Sequence, residues 1–167
     1  MKGLKNINDA HMKKKFIEDI SLIGHGETSG PEYPQNKKEM KRYSEEELKD
    51  IKKDYTKRKS KVEKLFKNMS KSTIFLSHNV PFNTKLDKIN NPKSPRDGQH
   101  FGSIIARELI EKYQPLICIG AHMHENFGKC KIGKTTVVNA GFGSNVNVLL
   151  EIKVNKIKNL RFWNGKN

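Results

Sequence analysis

The sequence has few cysteines and no long apolar run. No stretch approaches the roughly 20 consecutive apolar residues that a membrane span requires, and the first residues lack the apolar centre of a signal peptide. The two cysteines, Cys118 and Cys130, are too few for a disulfide framework and fit a reducing compartment. We therefore expect a cytoplasmic protein with no membrane partner.

Arginine is scarce in a chain that is otherwise strongly basic. The 167 residues carry 33 Lys+Arg and a net charge of +15, but five of these basic residues are arginine and 28 are lysine. A lysine surface favours solubility and weak attraction for anions, whereas bidentate recognition of phosphate or guanine usually uses arginine. A basic nucleic-acid-binding module is thus the weakest of our hypotheses, and we expect no specific nucleic-acid partner.

The length fits one domain. The pattern of charged and apolar residues changes along the chain. Ser44 and Glu47 form a capping-box pair ahead of apolar residues at helical spacing, which predicts a helix over 45–69. Residues 10–22 suggest a short helix followed by a short strand. We divide the domain into an irregular N-terminal segment, an amphipathic helix and a C-terminal part, at residues 1–43, 44–70 and 71–167.

The C-terminal part alternates between strands and a helix. Continuous apolar runs at 73–76 and 116–119, joined through a helix at 101–112, predict parallel strands that are covered on both faces. Three more strands are predicted at 134–139, 145–154 and 156–163. The last two form a hairpin, and the alternating pattern there predicts a sheet edge that turns antiparallel. The fold class is therefore α/β with a mixed sheet.

Histidines cluster where two of these strands end. His78 directly follows the first apolar strand, and His122 and His124 follow the second. Ligands gather at the carboxyl ends of strands in open α/β sheets, and imidazole is a common ligand of zinc-like metals. We predict a metal site at these three histidines. The alternatives are hydrogen bonds from the rings to loop carbonyls, or a structural zinc site that adds Cys118 and Cys130 to His122 and His124.

Three sequence blocks resemble those of the calcineurin-like metallophosphoesterases. The run SHNVP at 77–81 resembles the SHxPP block of that family. The run GAHMHE at 120–125 resembles the GHxHE block, and VVNAG at 137–141 resembles the vNPG block. The order and spacing also agree, and the likeness covers roughly residues 70–155.

The resemblance implies a fold, a cofactor and a reaction. The fold would be part of a four-layer α/β/β/α sandwich that holds two divalent metal ions, and the substrate would be a phosphate ester. His78 and His122 would ligate one metal and His124 the other. Mn, Fe, Zn and Ni all suit such mixed sites. The resemblance assigns no catalytic or substrate-binding residue on this chain.

The chain also departs from the family pattern. Ala121 stands where the family has a glycine, and alanine is disfavoured if that backbone needs a positive φ. The family's D-x-H and G-D-x-x-D blocks have no counterpart in residues 1–70, and the run Asn6-Ile7-Asn8-Asp9 is a candidate remnant of its G-N-x-D block. We therefore expect the C-terminal half of a phosphoesterase, which either acts with a separately encoded N-terminal half or derives from a larger parent whose start is missing. The chain alone is expected to associate with such a half or to form a homo-oligomer. The alternative is a non-catalytic subunit or pseudoenzyme.

Three further polar residues receive structural expectations. We expect His25, which lies between two glycines, to be a solvated loop residue. His100 is expected to help start the helix at 101–112. We expect Asp87 to be a surface acid, with a position beside the substrate as the alternative.

Overall fold

The computed structural model describes residues 9–27, 30–141 and 146–164. The strands within these ranges are β1 Lys14–Ile17, β2 Ile20–His25, β3 Ser72–Asn79, β4 Ile117–Ala121, β5 Gly128–Ile132, β6 Thr135–Asn139, β7 Val146–Lys153 and β8 Lys156–Asn164. The helices are α1 Lys37–Met40, α2 Glu45–Glu63 and α3 Ile104–Tyr113. Among the described residues, no helix combines the length and the apolar content that a membrane crossing requires.

The central sheet is mixed, as the sequence predicts. In the described part of the chain it has six strands in the order β1-β2-β3-β4-β6-β5. β2, β3, β4 and β6 run parallel to one another, while β1 and β5 pair antiparallel at the two edges. The apolar runs of β3 and β4 occupy the middle of the sheet, which confirms their assignment as neighbouring parallel strands.

The helices α2 and α3 pack beside each other on one face of the sheet. The Glu63 carboxylate at the end of α2 accepts hydrogen bonds from Lys112 Nζ (2.7 Å) and Tyr113 OH (3.0 Å) of α3. Below them, Phe66 meets Phe75 of β3 edge to face, with ring centroids 5.0 Å apart. This face of the sheet and the two helices enclose the main apolar core.

The predicted amphipathic helix is present, although its end differs. Ser44 and Glu47 form the expected capping box. The α-helix stops at Glu63 and continues as one 3₁₀ turn, Lys64–Phe66. The turn directs Phe66 into the core, where it is 2 % exposed, so packing rather than helix propensity sets this end.

The prediction of a helix within 10–22 is wrong, because β1 and β2 form a hairpin there. Segment 1–43 is therefore not irregular between Lys14 and His25. Ile17 and Ile20 are paired across a two-residue loop, and Glu18 adopts the left-handed φ of 54° that such loops need. Glycine or asparagine usually occupies this position. Because the residue here is glutamate, the sequence did not indicate a turn.

The register between β2 and β3 is fixed by a reciprocal pair of hydrogen bonds. Ser21 N donates to Ser70 Oγ (3.1 Å), and Ser70 N donates to Ser21 Oγ (2.9 Å). Beyond this pair, Ile23 lies opposite Phe75 and His25 lies opposite Ser77. The carboxyl ends of β2 and β3 therefore lie side by side.

The C-terminal hairpin is present but does not form the edge of the central sheet. β7 and β8 pair antiparallel as a separate two-stranded sheet in the described residues. Their turn uses Val154 and Asn155, both with positive φ. Asn155 Oδ1 accepts a hydrogen bond from Ser72 Oγ (2.6 Å), which joins the hairpin to the start of β3. The antiparallel edges of the described sheet are instead β1 and β5, and β5 is a lysine-containing strand that the sequence did not predict.

Candidate functional site

Two of the predicted metal ligands come together at the carboxyl edge of the sheet. His78 is the penultimate residue of β3, and His122 directly follows β4. These strands are parallel neighbours, with Asn79 paired to Ala121. Parallel pairing therefore brings both histidines to the same edge of the sheet.

The facing nitrogens of the two rings are close enough to bind the same metal ion. His78 Nε2 lies 3.2 Å from His122 Nδ1, and the ring centroids are 4.9 Å apart. Two nitrogen ligands on one zinc-like ion, each about 2.0–2.1 Å from it, are roughly 2.9–3.4 Å apart in octahedral or tetrahedral geometry. The spacing of this pair therefore fits two ligands of a single metal ion.

His122 is held in a strained backbone conformation. Its φ is 65°, and Met123 N donates to Ala121 O across it at 2.7 Å, so His122 is the central residue of a γ-turn with positive φ. This type of turn is rare and strained, and such strain clusters at functional sites. The left-handed residue is thus His122 and not Ala121, which removes the objection to alanine at that position.

Close packing of backbone explains the glycine that precedes this turn. A Cβ atom at Gly120 would lie 2.9 Å from both the N and the Cα atom of Val80. The chain leaving β3 therefore passes directly against the end of β4. This close approach is what brings the residues on either side, His78 and His122, within contact of each other.

The third predicted ligand does not complete a metal-binding group. His124 is exposed at the loop after β4. Among residues 9–27, 30–141 and 146–164, no group of three or more His, Cys, Asp or Glu side chains is arranged to hold a metal ion. The alternative zinc site with Cys118 and Cys130 is not formed either. Burial raises the pKa of the Cys118 thiol, which disfavours the thiolate that a metal needs.

The candidate remnant of the third family block is described only at its last residue. Asn6 and Asn8 lie outside the described residues. Asp9 is exposed, and its carboxylate accepts hydrogen bonds from Lys13 Nζ (2.6 Å) and His11 N (2.9 Å). These bonds, with Lys13 as the larger cause, lower the pKa of Asp9. Both of these partners lie within four positions of Asp9 in the sequence.

Asp87 is the main correction at this edge of the sheet, because it is fully buried rather than a surface acid. Its Oδ1 atom accepts from Thr84 N (2.7 Å) and from His100 Nδ1 (2.8 Å). Its Oδ2 atom accepts from Asn83 N (3.0 Å) and Gly102 N (2.9 Å). The carboxylate thereby ties together both ends of the long loop that follows the β3 strand.

The expectation for His100 is also corrected. His100 bonds to Asp87, and the N-cap of α3 is Ser103, whose Oγ accepts from Ala106 N. Ser103 Oγ in turn donates to Glu32 Oε1 (2.5 Å), and Glu32 Oε2 accepts from Ile104 N (2.7 Å). A carboxylate at a helix N-terminus is favourable, so Glu32 fastens the segment after β2 to α3.

His25 is buried, which contradicts its expectation as a solvated loop residue. It ends β2 and is 2 % exposed. No described residue is hydrogen bonded to either of its ring nitrogens, and the same holds for Ser77 Oγ and Asn79 Oδ1. Burial lowers the pKa of His25. Sequence reasoning missed the burial of His25 because β2 was not recognised in full. The signal that could have revealed it is the position of His25 at the carboxyl end of that strand.

Comparisons with known proteins define the fold alone. The sequence matches no family model, and no curated protein is significantly similar to it. One solved crystal structure is 18% identical with a TM-score of 0.58, over 96% of this chain and 55% of that chain. The crystal structure of TT1561 of Thermus thermophilus is 19% identical with a TM-score of 0.47, over 94% of this chain and 59% of that one. The chain thus spans little more than half the length of these proteins.

Proposed function

We propose that this chain provides the C-terminal, histidine-bearing half of a calcineurin-like metallophosphoesterase that hydrolyses phosphate esters. The observation that carries the proposal is the 3.2 Å approach of His78 Nε2 to His122 Nδ1. These two side chains would hold one divalent metal ion, Mn, Fe, Zn or Ni, and His124 would belong to a second. Such ions, when bound, neutralise a phosphoryl group and lower the pKa of bound water.

The residues of this chain have a positioning role in that reaction. The γ-turn at His122 and the packing of Gly120 on Val80 fix the direction of the two imidazoles before any ligand arrives. Preorganisation of this kind reduces the cost of ordering the site when a ligand binds. His78 is exposed and His122 is half-buried, so an incoming ion can reach the pair from solvent.

The proposal requires further ligands from outside the described residues. A complete two-metal site needs carboxylates, and the described residues place none beside the histidine pair in a metal-holding group. We infer that an N-terminal half carrying D-x-H and G-D-x-x-D supplies them, either as a separate subunit or as part of a longer chain. This chain covers 55% of the similar crystal structure, so that fold has room for a further segment of comparable size.

The apolar surface is also consistent with a missing half of a four-layer sandwich. Phe16 and Ile17 on the edge strand β1 are 61% and 57% exposed, and Leu149 and Trp163 on the hairpin are 43% and 48% exposed. A two-stranded sheet is marginally stable by itself. We propose that strands of the N-terminal half extend the β7–β8 sheet and cover these side chains, with self-association as the substitute when that half is absent.

Metal titration of this chain tests the proposal directly. Isothermal titration calorimetry with Zn²⁺ should detect one site that His78→Ala and His122→Ala each weaken at least tenfold. His11→Ala is the matched control, because His11 is an exposed histidine that does not belong to the pair. Zinc binding that is absent, or that responds equally to all three substitutions, would contradict the proposal.

Activity is tested in the reconstituted enzyme. With the N-terminal half added, hydrolysis of an aryl phosphate should depend on Mn²⁺ or Zn²⁺ and disappear in His122→Ala/His124→Ala. Undiminished hydrolysis by that variant would reject the assignment.

A non-catalytic subunit is the second candidate, and the lack of a three-ligand group in the described residues favours it. In that case the reconstituted pair binds no second metal and hydrolyses nothing. Metal-dependent hydrolysis of an aryl phosphate by the present chain alone would exclude this candidate.

A further inference from the structure

A polar cleft lies away from the histidine pair, on the side of the molecule that carries α1. It has a volume of about 810 Å³, within the range of small-molecule sites. Its walls are the segment between β2 and α2, one side of α2, and the loop at residues 95–101. His78, His122 and His124 are not among the residues that line it.

The cleft concentrates the scarce arginines of this chain. Arg42, Arg58 and Arg96 line it together with Lys38, so three of the five arginines in the sequence face one cavity. Guanidinium groups match the geometry of phosphate oxygens, and a lysine adds a further point charge. This placement distinguishes the cleft from the lysine-covered remainder of the surface.

The carboxylates that line the same cleft are already engaged with other partners. Glu32 accepts from Ser103 Oγ and Ile104 N at the start of α3. Glu39 accepts from Gln35 N (2.7 Å) and Asn36 Nδ2 (2.9 Å), and Glu27 lies 3.9 Å from the His11 ring. The oxygens of Glu32 and Glu39 are therefore occupied by donors of the protein itself, and the lining carries four cationic side chains against three carboxylates.

Its cations, by contrast, retain capacity for a ligand. Arg58 pairs with Asp54 at 2.5 Å. No ion pair to Lys38, Arg42 or Arg96 is present among the described residues. An excess of cations in a concave site focuses positive potential there and attracts anions.

Two of the groups on the loop wall are held in place. Arg96 lies over the Phe101 ring, 4.6 Å from its centroid, a cation–π contact that orients the guanidinium. His100 is held by the hydrogen bond from its Nδ1 atom to the buried Asp87 carboxylate. Its other ring nitrogen, Nε2, is not used by that bond. The aromatic side chains Tyr33 and Tyr43 line the wall formed by the segment between β2 and α2.

We propose that this cleft binds a small organic phosphate that carries a planar ring, of the nucleoside diphosphate class. Its phosphate groups lie among Lys38, Arg42 and Arg96, and its ring packs against the tyrosines. Several converging cations fit a ligand with more than one negative charge better than a single carboxylate. The proposal is independent of the phosphoesterase assignment, because it uses none of the histidines at the ends of β3 and β4.

The test is isothermal titration calorimetry of the whole chain with ADP, pyrophosphate and adenosine at moderate salt. We expect ADP to bind more tightly than pyrophosphate, and adenosine to give no measurable heat. Arg42→Gln and Arg96→Gln should each weaken ADP at least tenfold. Arg42 is exposed, so its substitution leaves folding intact, which a melting curve checks.

Arg161→Gln is the matched control, because it removes the same charge from the exposed strand β8. It should change ADP affinity less than twofold. An equal loss in Arg161→Gln and Arg42→Gln would show general attraction to a basic surface and overturn the proposal, as would the absence of ADP binding. His78→Ala/His122→Ala should retain ADP binding, so failure of the metal site and failure of this cleft give different results.

Discussion

His78 Nε2 lies 3.2 Å from His122 Nδ1 across 44 positions of sequence. The contact depends on the parallel pairing of β3 with β4 and on the positive φ of His122. Neither ring would reach the other if His122 continued the extended strand. Backbone strain and ligand geometry are thus coupled at one residue.

That coupling predicts different effects of two substitutions at His122 on stability. Glycine adopts a positive φ without penalty, whereas alanine does not. We expect His122→Gly to be about 1 kcal/mol more stable than His122→Ala in urea unfolding, while both lose Zn²⁺ affinity equally. If the two variants have the same free energy of unfolding, the γ-turn is not strained.

The buried His25 predicts a pH dependence of stability. Its folded-state pKa lies below the ordinary 6.5, first because of burial. Glu32 and Glu27 oppose this shift, and His11 and Arg58 add to it. Below about pH 6.5 the unfolded chain takes up a proton that the folded chain resists, so the free energy of unfolding falls as the pH decreases.

Urea unfolding at pH 7.5, 6.5 and 5.5 measures this effect. His25→Leu should flatten the decrease, because it removes the buried imidazole and its unpaired nitrogens. His124→Asn, at an exposed position, should leave the decrease unchanged. Parallel pH curves for the wild type and His25→Leu would contradict the assignment to His25.

Asp87→Asn should destabilise the fold by about 2–4 kcal/mol. All four of its neighbours, Asn83, Thr84, His100 and Gly102, offer N–H groups to the carboxylate. An asparagine NH₂ would face one pair of these donors with a donor of its own. Chemical unfolding measures the loss.

The matched control for that substitution is Asp97→Asn. Asp97 lies in the same loop but is exposed, and its Oδ1 accepts from Asn91 N at 2.8 Å. Asparagine can keep this bond through its own carbonyl, so we expect a change below about 0.5 kcal/mol. Equal decreases in the free energy of unfolding for the two variants would contradict the proposed role of Asp87 in holding the loop together.

The exposed edge strand predicts that the isolated chain associates. Phe16 and Ile17 are solvent-exposed on β1, whose outer edge is unpaired among the described residues. Ile17→Lys should lower the mass average in light scattering at high protein concentration, because charge on an edge strand blocks pairing. Val154→Lys, in the hairpin turn and 75% exposed, is the control. A wild-type chain that stays monomeric would contradict the prediction.

The sequence predicted the parts of the fold that local pattern determines. β3 and β4 were recognised because continuous apolar runs mark buried parallel strands. The meeting of His78 and His122 followed from that pairing. The edge strands were harder: β5 is only five residues long and begins at a glycine, and the β1–β2 turn places glutamate where the conformation favours glycine.

The burial of Asp87 and His25 could not be read from local pattern. Asp87 is satisfied by Gly102, 15 positions away, and such a partner is visible only once the loop is folded. His25 sits between two glycines, a composition typical of loops, yet it ends a strand that pairs in register with β3. Tertiary contacts override composition at both positions.

The reciprocal bonds between Ser21 and Ser70 also bear on the order in which the chain acquires its structure. They join residues 49 positions apart, so the β2–β3 pairing closes a long loop that contains the whole of α2. The chain loses the entropy of closing this loop before the β2–β3 contacts can stabilise it, so such non-local pairing slows folding. The helix, with its own capping box, can form within microseconds. Refolding followed by hydrogen exchange should therefore protect the amides of α2 well before those of β2.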